Sequence, residues 1–325
     1  MLRVVTPLGR WFVLATMITS STVGCKNKQE QTEKVNSAAS APSSSAKEKA
    51  SEAASATKKD KELEPPPAAL VQPVVNPKNR PAYSGPTGGV RGTVTITGDF
   101  APERPELLAK IEDNCLDAKQ MFAHVFREGP GRTLADALVA VTGYDGYVPS
   151  TTSDVIVKAK GCAFHSRTVA MTFGQRIIVE GIDKRPYVPE ILGQPQPAQL
   201  FVLPSSPTTS FSPRRPGRFK LVDSMRLYNA SDLFILPYAT AAVTGLDGHY
   251  EIQGIPVGSV KINALLPATG AVAGQDIVIE KGKTLELNLE IAFDRAAWDK
   301  LPKEVPLDEI PGPEQQKAKA ASPQP

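Results

Sequence analysis

Catalytic motifs, histidine and aromatic side chains are scarce in this sequence. Its 325 residues include three His, three Cys and two Trp, and 6% of them are aromatic. Residues 89–293 contain no G-x-S-x-G, H-E-x-x-H, phosphate-binding loop or dinucleotide-binding fingerprint. The formal net charge of +3 is spread along the chain, whereas a nucleic-acid-binding protein needs a clustered basic face. We therefore expect neither an enzyme nor a nucleic-acid-binding protein.

The first apolar run, over residues 11–23, is too short to span a bilayer. It follows two arginines, and this layout predicts a secretory signal peptide over residues 1–24. Residues 21–25, Ser-Thr-Val-Gly-Cys, resemble the lipobox of bacterial lipoproteins, which implies that Cys25 is lipidated. A plain signal peptide beside an incidental cysteine is the alternative. Because no Asp follows that cysteine, the resemblance implies an outer-membrane lipoprotein of the cell envelope that faces the periplasm or the cell surface.

Residues 25–88 are dominated by Ala, Ser, Lys, Glu and Pro, and Tyr83 is their only aromatic residue. Such a segment cannot bury enough apolar surface to offset its chain entropy, so we predict a disordered tether. Its opposite charges are nearly balanced, which favours a spacer over a charged binding arm. Residues 294–325 are again rich in Pro and charge, and we predict a disordered C-terminal tail that starts with a short helix anchored by Trp298.

Two cysteines remain once the lipobox cysteine is set aside, Cys115 and Cys162. In an oxidising compartment an even pair favours a disulfide. A bridge that closes a loop of this length stabilises a folded chain by ~4 kcal/mol in the chain-entropy model. The alternative is a metal site in which Cys162 and His165, spaced as C-x-x-H, are joined by Cys115 and a further ligand.

Short segments that alternate apolar and polar residues fill the middle of the chain, as half-buried β-strands do. The candidate strands are 89–98, 138–142, 154–158, 168–172, 175–180, 199–203, 219–222, 250–253, 259–264, 276–280 and 284–291. One helix is expected over about 103–113. Eight prolines between residues 186 and 216 predict loops or edge strands there, because proline cannot donate to a β-ladder. Together these segments predict an all-β fold of one or two β-sandwiches.

Residues 245–264, GLDGHYEIQGIPVGSVKINA, resemble the carboxypeptidase regulatory-like, or transthyretin-like, β-sandwich. In that family the pattern D-G-x-F/Y-x-I/L-x-x-I/V-P-x-G joins two strands by tight turns. Tyr250 and Ile252 occupy its inward-facing positions. The resemblance implies one sandwich formed by residues 89–147 and 239–293, and it implies no catalytic activity.

Three stretches between these two halves carry a second resemblance: 161–179, 216–221 and 237–243. They are similar to the cupredoxin-like copper domain that some bacterial periplasmic proteins insert into this sandwich, which implies such an insertion over residues 148–238. There, copper is held by a His after one strand and by a C-x-x-H-x-x-M motif, a soft ligand set that suits blue copper. Here Tyr187 occupies the first His place, and Leu221, Ser224 and Leu227 occupy the Cys, His and Met places. We therefore expect a cupredoxin-like scaffold without metal or other cofactor.

These observations predict a non-enzymatic lipoprotein of the cell envelope that acts as a binding or structural module. Its expected partners are the membrane, through the lipid anchor, and a protein or glycan. An alternative is a copper-binding or electron-transfer protein that uses Met225, His165 or the Cys162 thiol.

A further alternative is carbohydrate or cell-wall binding. The sequence Tyr144-Asp-Gly-Tyr147 predicts a turn in which two aromatic rings flank the Asp145 carboxylate. Such rings can stack on a sugar while the carboxylate accepts hydrogen bonds from its hydroxyl groups.

Overall fold

The computed structural model describes residues 65–195 and 200–302. These residues form sixteen β-strands and only a few short helices, so the prediction of an all-β fold is confirmed. The strands are β1 (Thr87–Gly98), β2 (Leu138–Thr142), β3 (Asp154–Lys160), β4 (Ala163–Phe164), β5 (Thr168–Thr172), β6 (Arg176–Gly181), β7 (Pro189–Leu192), β8 (Thr208–Phe211), β9 (Gly217–Asp223), β10 (Arg226–Leu236), β11 (Ala241–Val243), β12 (His249–Pro256), β13 (Gly258–Leu266), β14 (Ala271–Ile279), β15 (Thr284–Glu286) and β16 (Leu289–Phe293). The helices are α1 (Ala68–Val75), α2 (Pro105–Leu108), α3 (Leu116–Phe122) and α4 (Arg295–Asp299), with a 3₁₀ turn at Pro130–Arg132.

Two facing sheets form the first sandwich, which contains β1, β2 and β11 to β16. One sheet has the order β12–β1–β15, with β16 also paired to β1, and the other has the order β11–β2–β13–β14. Buried and exposed side chains alternate along β12 and β13, because every second residue of a strand faces the opposing sheet. The core between the sheets includes Val94, Val139, Ile262 and Ile291 and the ring of Tyr250.

A second sandwich, made of β3 to β10, is inserted between β2 and β11. Its sheets have the orders β5–β10–β9–β7 and β4–β3–β6–β8. Each sheet contains a parallel pair, β5 with β10 and β3 with β6, which a tight hairpin cannot make. Its own core includes Val157, Phe164, Ile177, Leu221 and Leu233. Each sandwich therefore has a hydrophobic core of its own.

The proline-rich stretch over residues 186–216 supplies one edge strand of each sheet of the second sandwich. β7 and β8 each lie at one end of their sheet, as the loop-or-edge prediction requires. β7 begins at Pro189, where the missing N–H group needs no ladder partner. The strand predicted over 199–203 is wrong, because residues 200–203 form only isolated bridges, among them one between Val202 and Tyr187.

Residues 65–88, which were assigned to the disordered tether, pack against the body instead. Three valines of α1 contact the core of the second sandwich: Val71, Val74 and Val75. The composition of the whole segment concealed this short apolar helix, and the tether prediction is corrected there. The rest of the predicted tether, residues 25–64, and Cys25 with the signal peptide lie outside the described residues.

The helix predicted over 103–113 is wrong in its extent. α2 ends at Leu108, and the longer helix α3 begins only after Cys115. One face of α3 is buried in a small third cluster that also contains Cys162. The buried side chains of α3 are Ala118, Met121 and Phe122.

The expected C-terminal helix around Trp298 is present as α4. The carboxylate of its N-cap residue, Asp294, accepts a hydrogen bond from the Ala297 N–H at 2.9 Å. The Trp298 ring packs against Phe293 with 6.0 Å between ring centroids. Residues 303–325 lie outside the described residues. In the described part of the chain, no helix has the length and apolar character needed to cross a membrane.

Candidate functional site

Tyr144, the first member of the predicted carbohydrate-binding turn, is tied to the first sandwich. Its side chain is half-buried and packs against that core. Its hydroxyl lies 2.9 Å from Thr240 Oγ1, within hydrogen-bond distance. Burial raises the pKa of the Tyr144 phenol, so this group stays neutral at physiological pH. These contacts leave only part of the ring free for stacking.

Asp145 and Tyr147 contact the segment that precedes β1. The Asp145 carboxylate pairs with Arg80 and is 81% exposed. Tyr147 is half-buried, and its carbonyl oxygen accepts a hydrogen bond from the Tyr83 N–H at 2.7 Å. The three candidate residues lie on one turn, but that turn is held by residues 80–83 and does not present an open aromatic platform.

Cys115 and Cys162 form the predicted disulfide, with 5.4 Å between their Cα atoms. Both residues are completely buried. The bridge fastens the start of α3 to the turn before β4. While it is intact, neither sulfur is a thiolate, so neither can act as a soft metal ligand.

Tyr187 occupies the place that the cupredoxin resemblance assigns to a copper-binding His. It is fully buried, and its hydroxyl lies 3.1 Å from each carboxylate oxygen of Asp183. The same oxygen accepts a hydrogen bond from the Cys162 N–H at 3.3 Å, and the Arg226 guanidinium lies 5.6 Å from the ring centroid. Burial, followed by the negative charge of Asp183, raises the pKa of Tyr187 far above its ordinary value. The phenol is therefore a neutral hydrogen-bonding link.

The other three copper-ligand places lie on the hairpin of β9 and β10. Leu221 is fully buried in the second core, and Leu227 is an exposed apolar side chain. The Ser224 hydroxyl donates to the Glu190 carboxylate at 2.7 Å. Met225 between them offers a thioether, but it is 54% exposed.

A buried ion pair between Asp223 and Arg226 fixes this hairpin. The two groups are 3.0 Å apart, and their side chains are 0% and 11% exposed. Asp223 also accepts hydrogen bonds from the N–H groups of Val188, at 2.9 Å, and Met225, at 3.2 Å. Arg226 donates a further hydrogen bond to the Pro186 carbonyl oxygen at 3.1 Å. A buried charge is tolerated when it is paired and hydrogen-bonded in this way.

β10 is irregular directly after this pair. Arg226 is opposite Asp223, whereas Ala230 is opposite Val222, so residues 227–229 form a bulge. Within the described residues, three buried side-chain atoms lack a hydrogen-bond partner, and all belong to this strand: Arg226 Nε, Tyr228 OH and Asn229 Nδ2. Each atom can donate a hydrogen bond. The bulge and the adjacent Arg226 therefore provide three unused donors, which ordered water or an oxygen-rich ligand can satisfy.

Asn229 binds the same short stretch of backbone as Tyr187, and Tyr228 packs against the cluster that contains Cys162 and Ala163. The Asn229 Oδ1 accepts the Phe164 N–H at 2.7 Å, two residues after the N–H group that Tyr187 accepts. Tyr228 packs edge-on against Phe122, with 6.1 Å between ring centroids, and burial raises the pKa of its phenol. We call Tyr187, Arg226, Tyr228 and Asn229 the hairpin site.

The residues present do not fit a copper ion. In residues 65–195 and 200–302, no three His, Cys, Asp or Glu side chains come together as a metal site. His124, His165 and His249 are exposed and lie on separate segments, and the thiols of Cys115 and Cys162 are oxidised. A blue-copper centre requires two imidazoles, a thiolate and a weak axial ligand together.

Sequence reasoning did not find the hairpin site. The departure of Tyr187 from the copper pattern indicated that a ligand was absent, but not that a hydrogen-bonded phenol replaced it. The one indication in the sequence is Asn229, which stands among apolar residues. An Asn that is buried there needs hydrogen-bond partners and so indicates a polar contact within the core.

The chain is matched by no protein-family model and by no curated protein. Among solved structures, a Cu(I) amicyanin variant is 10% identical, covers 26% of this chain and 84% of its own chain, and has a TM-score of 0.21. A reduced amicyanin variant is 10% identical and covers 30% of this chain and 98% of its own, with a TM-score of 0.23. A Cu-containing nitrite reductase from Thermus scotoductus is 11% identical and covers 29% of this chain and 24% of its own, with a TM-score of 0.23. The chain thus has weak structural similarity to cupredoxins over a minor part of its length, and similarity at this level indicates nothing about function.

Proposed function

We propose that this chain is a non-enzymatic protein of the cell envelope that acts as a binding or structural module. The main support is the chemistry at the copper-ligand places. There the Tyr187 hydroxyl bonds to Asp183, and on the β9–β10 hairpin Asp223 pairs with Arg226. Buried groups that bond to each other in this way suit a rigid scaffold better than an electron-transfer centre. The three unused donors of the hairpin site suit recognition of a small ligand rich in hydrogen-bond acceptors.

The finer assignment of the two sandwiches is part of the same proposal. We infer a transthyretin-like first sandwich and a cupredoxin-like second sandwich without copper. The turn chemistry of the first supports this, because Gly248 has φ of 68° and the Asp247 carboxylate accepts the His249 N–H at 3.0 Å. Tyr250 and Ile252 are buried in the first core, where the resemblance places them.

The chain as purified is expected to contain no stoichiometric copper and to show no intense thiolate-to-copper absorption band after Cu(II) is added. The reason is that both body cysteines are joined in a disulfide and no imidazoles lie together. Elemental analysis, absorption spectroscopy and thiol titration under denaturing conditions measure this. Bound copper together with free thiols would overturn the proposal and favour a copper-binding or electron-transfer protein.

A triple variant provides the matched comparison for this measurement. Tyr187→His, Leu221→Cys and Ser224→His together restore the two His and the Cys, three of the four ligands that the copper family uses. Copper binding by the variant but not by the natural chain would show that only the ligands are missing.

A catalytic activity that the natural chain has and Tyr187→Phe loses would contradict the non-enzymatic assignment.

Lipidation of Cys25 is the proposed basis of the envelope location. Each buried CH₂ group of an acyl chain contributes ~0.8 kcal/mol to membrane binding, so several chains anchor a protein stably. We expect Cys25→Ala to move the chain from the membrane fraction to the soluble fraction. Mass spectrometry of the N-terminal peptide provides the independent check. An unmodified Cys25 in the mature chain would leave only the plain signal peptide.

A further inference from the structure

Three arginines lie near one another where the two sandwiches join: Arg104, Arg127 and Arg167. The Arg104 N–H donates to the Ala123 carbonyl oxygen at 2.8 Å, beside the residues that bind Arg167, and Arg127 and Arg167 both donate to Asp136. The Arg167 guanidinium donates to the carbonyl oxygens of His124 and Val125 at 2.9 and 2.7 Å. It also lies 5.7 Å from the centroid of the Phe122 ring. Backbone and ring contacts therefore hold this cation in place without a carboxylate.

The Asp136 carboxylate is already occupied. It accepts two hydrogen bonds from the Arg127 guanidinium, both at 2.7 Å, and one from the Arg167 N–H at 2.9 Å. The other carboxylate whose charge reaches Arg167, Asp232, is itself bound by Arg218 at 2.7 Å. Neither carboxylate is therefore free to neutralise a further cation.

Of the three arginines, Arg104 is the one whose guanidinium has no partner in the part of the chain that the structure describes. It is half-buried, and within the described residues its guanidinium makes no hydrogen bond or ion pair. Burial lowers the pKa of Arg104, and no carboxylate offsets that cost. Burial also lowers the pKa of Arg167 to about 10; Asp136 opposes this shift, while the positive charges of Arg104 and Arg127 add to it.

We propose that Arg104 and Arg167 bind an oxyanion at the junction of the two sandwiches, through a phosphate, sulfate or carboxylate group. A guanidinium has five N–H donors, and Arg104 uses none of them within the described chain. An oxyanion would supply the missing negative charge and form charge-assisted hydrogen bonds with both side chains. This site is distinct from the hairpin site, so its test does not depend on the proposed function.

The test is calorimetric titration of the purified full chain with inorganic phosphate. We expect saturable binding that Arg104→Gln weakens by on the order of tenfold or more, because hydrogen bonds to charged groups are the strong ones. Arg104→Gln should leave the thermal unfolding temperature in phosphate-free buffer unchanged or raise it, because it removes repulsion and no internal hydrogen bond. Arg91→Gln is the matched control and should leave phosphate affinity unchanged. Arg91 is a surface arginine of β1 that already pairs with Glu286 at 2.6 Å.

A second arm separates soluble phosphate from lipid-borne phosphate. Here the Cys25→Ala chain, which cannot carry an anchor, is mixed with phosphatidylcholine vesicles that contain or lack phosphatidylglycerol. Binding that needs both phosphatidylglycerol and Arg104 supports a headgroup as the source of the oxyanion, and Arg104-dependent binding of free phosphate supports a soluble ligand. Failure to detect Arg104-dependent binding in either arm would overturn the proposal.

Discussion

Replacement of Asp136 by alanine is expected to lower the free energy of unfolding by about 3 to 5 kcal/mol, the usual cost of breaking a buried ion pair. The Asp136 side chain is 7% exposed, and that of its partner Arg127 is 16% exposed. Alanine leaves the Arg127 guanidinium and the Arg167 N–H without their acceptor. Because Asp136 precedes β2 and Arg167 precedes β5, the change also loosens the connection between the two sandwiches. Urea titration of both proteins measures the difference.

Asp145→Ala is the matched control, because its ion pair with Arg80 is solvent-exposed and should contribute only about 0 to 1 kcal/mol. Asp136 also has φ of 64°, which alanine tolerates poorly. Asp136→Asn tolerates that backbone conformation and removes only the charge, so it separates the two effects. Equal stability losses for Asp136→Ala and Asp145→Ala would contradict the assignment of Asp136 as a buried anchor.

Strands with local signals were predicted well from the sequence. The bounds predicted for β2 and β5 agree with the structure, and β12 follows from the tight turn at Gly248. Periodic burial along a strand is a property of neighbouring residues, so a single sequence contains it. The edge position of β7 is also predictable from the sequence, because Pro189 cannot donate to a β-ladder.

β10 is the longest strand of the second sandwich, and it was missed. Its alternation is broken by buried polar residues such as Asn229 and Ser231. Their partners, the Phe164 N–H and the Ser166 carbonyl oxygen, are 65 residues away in the sequence. A local sequence pattern cannot show that a polar side chain is hydrogen-bonded to a distant backbone group, so the polar residues of β10 did not predict a strand.

The binding features were predicted least well, for the same reason. The absence of copper ligands followed directly from residue types at Tyr187 and Ser224. The arginine cluster did not, because Arg104, Arg127 and Arg167 lie on three segments that only the folded chain brings together. In the sequence each is an ordinary charged residue. Their significance depends on burial and on the saturation of Asp136, which are tertiary properties.

Removal of the disulfide is expected to lower the free energy of unfolding by ~4 kcal/mol, because the bridge restricts the unfolded chain over a separation of 47 residues. Cys115→Ala with Cys162→Ala tests this. Both sulfurs lie in the cluster that buries Phe122, so the loss should also loosen α3. The Cys162 N–H donates to Tyr187, and through it the effect should reach the hairpin site. Near-ultraviolet circular dichroism of the tyrosines should therefore weaken under conditions in which the chain is still folded.

Reduction of the natural chain by dithiothreitol provides the independent control for the double cysteine variant. Both treatments should lower the urea midpoint by a similar amount, since both remove the same covalent link. Phe122 contacts both Tyr228 and Arg167, so a loosened α3 should also weaken phosphate binding at the arginine cluster. A midpoint that reduction leaves unchanged would mean that packing alone holds α3 in place. Lost stability with unaltered phosphate affinity would mean instead that His124 and Val125 suffice to position Arg167.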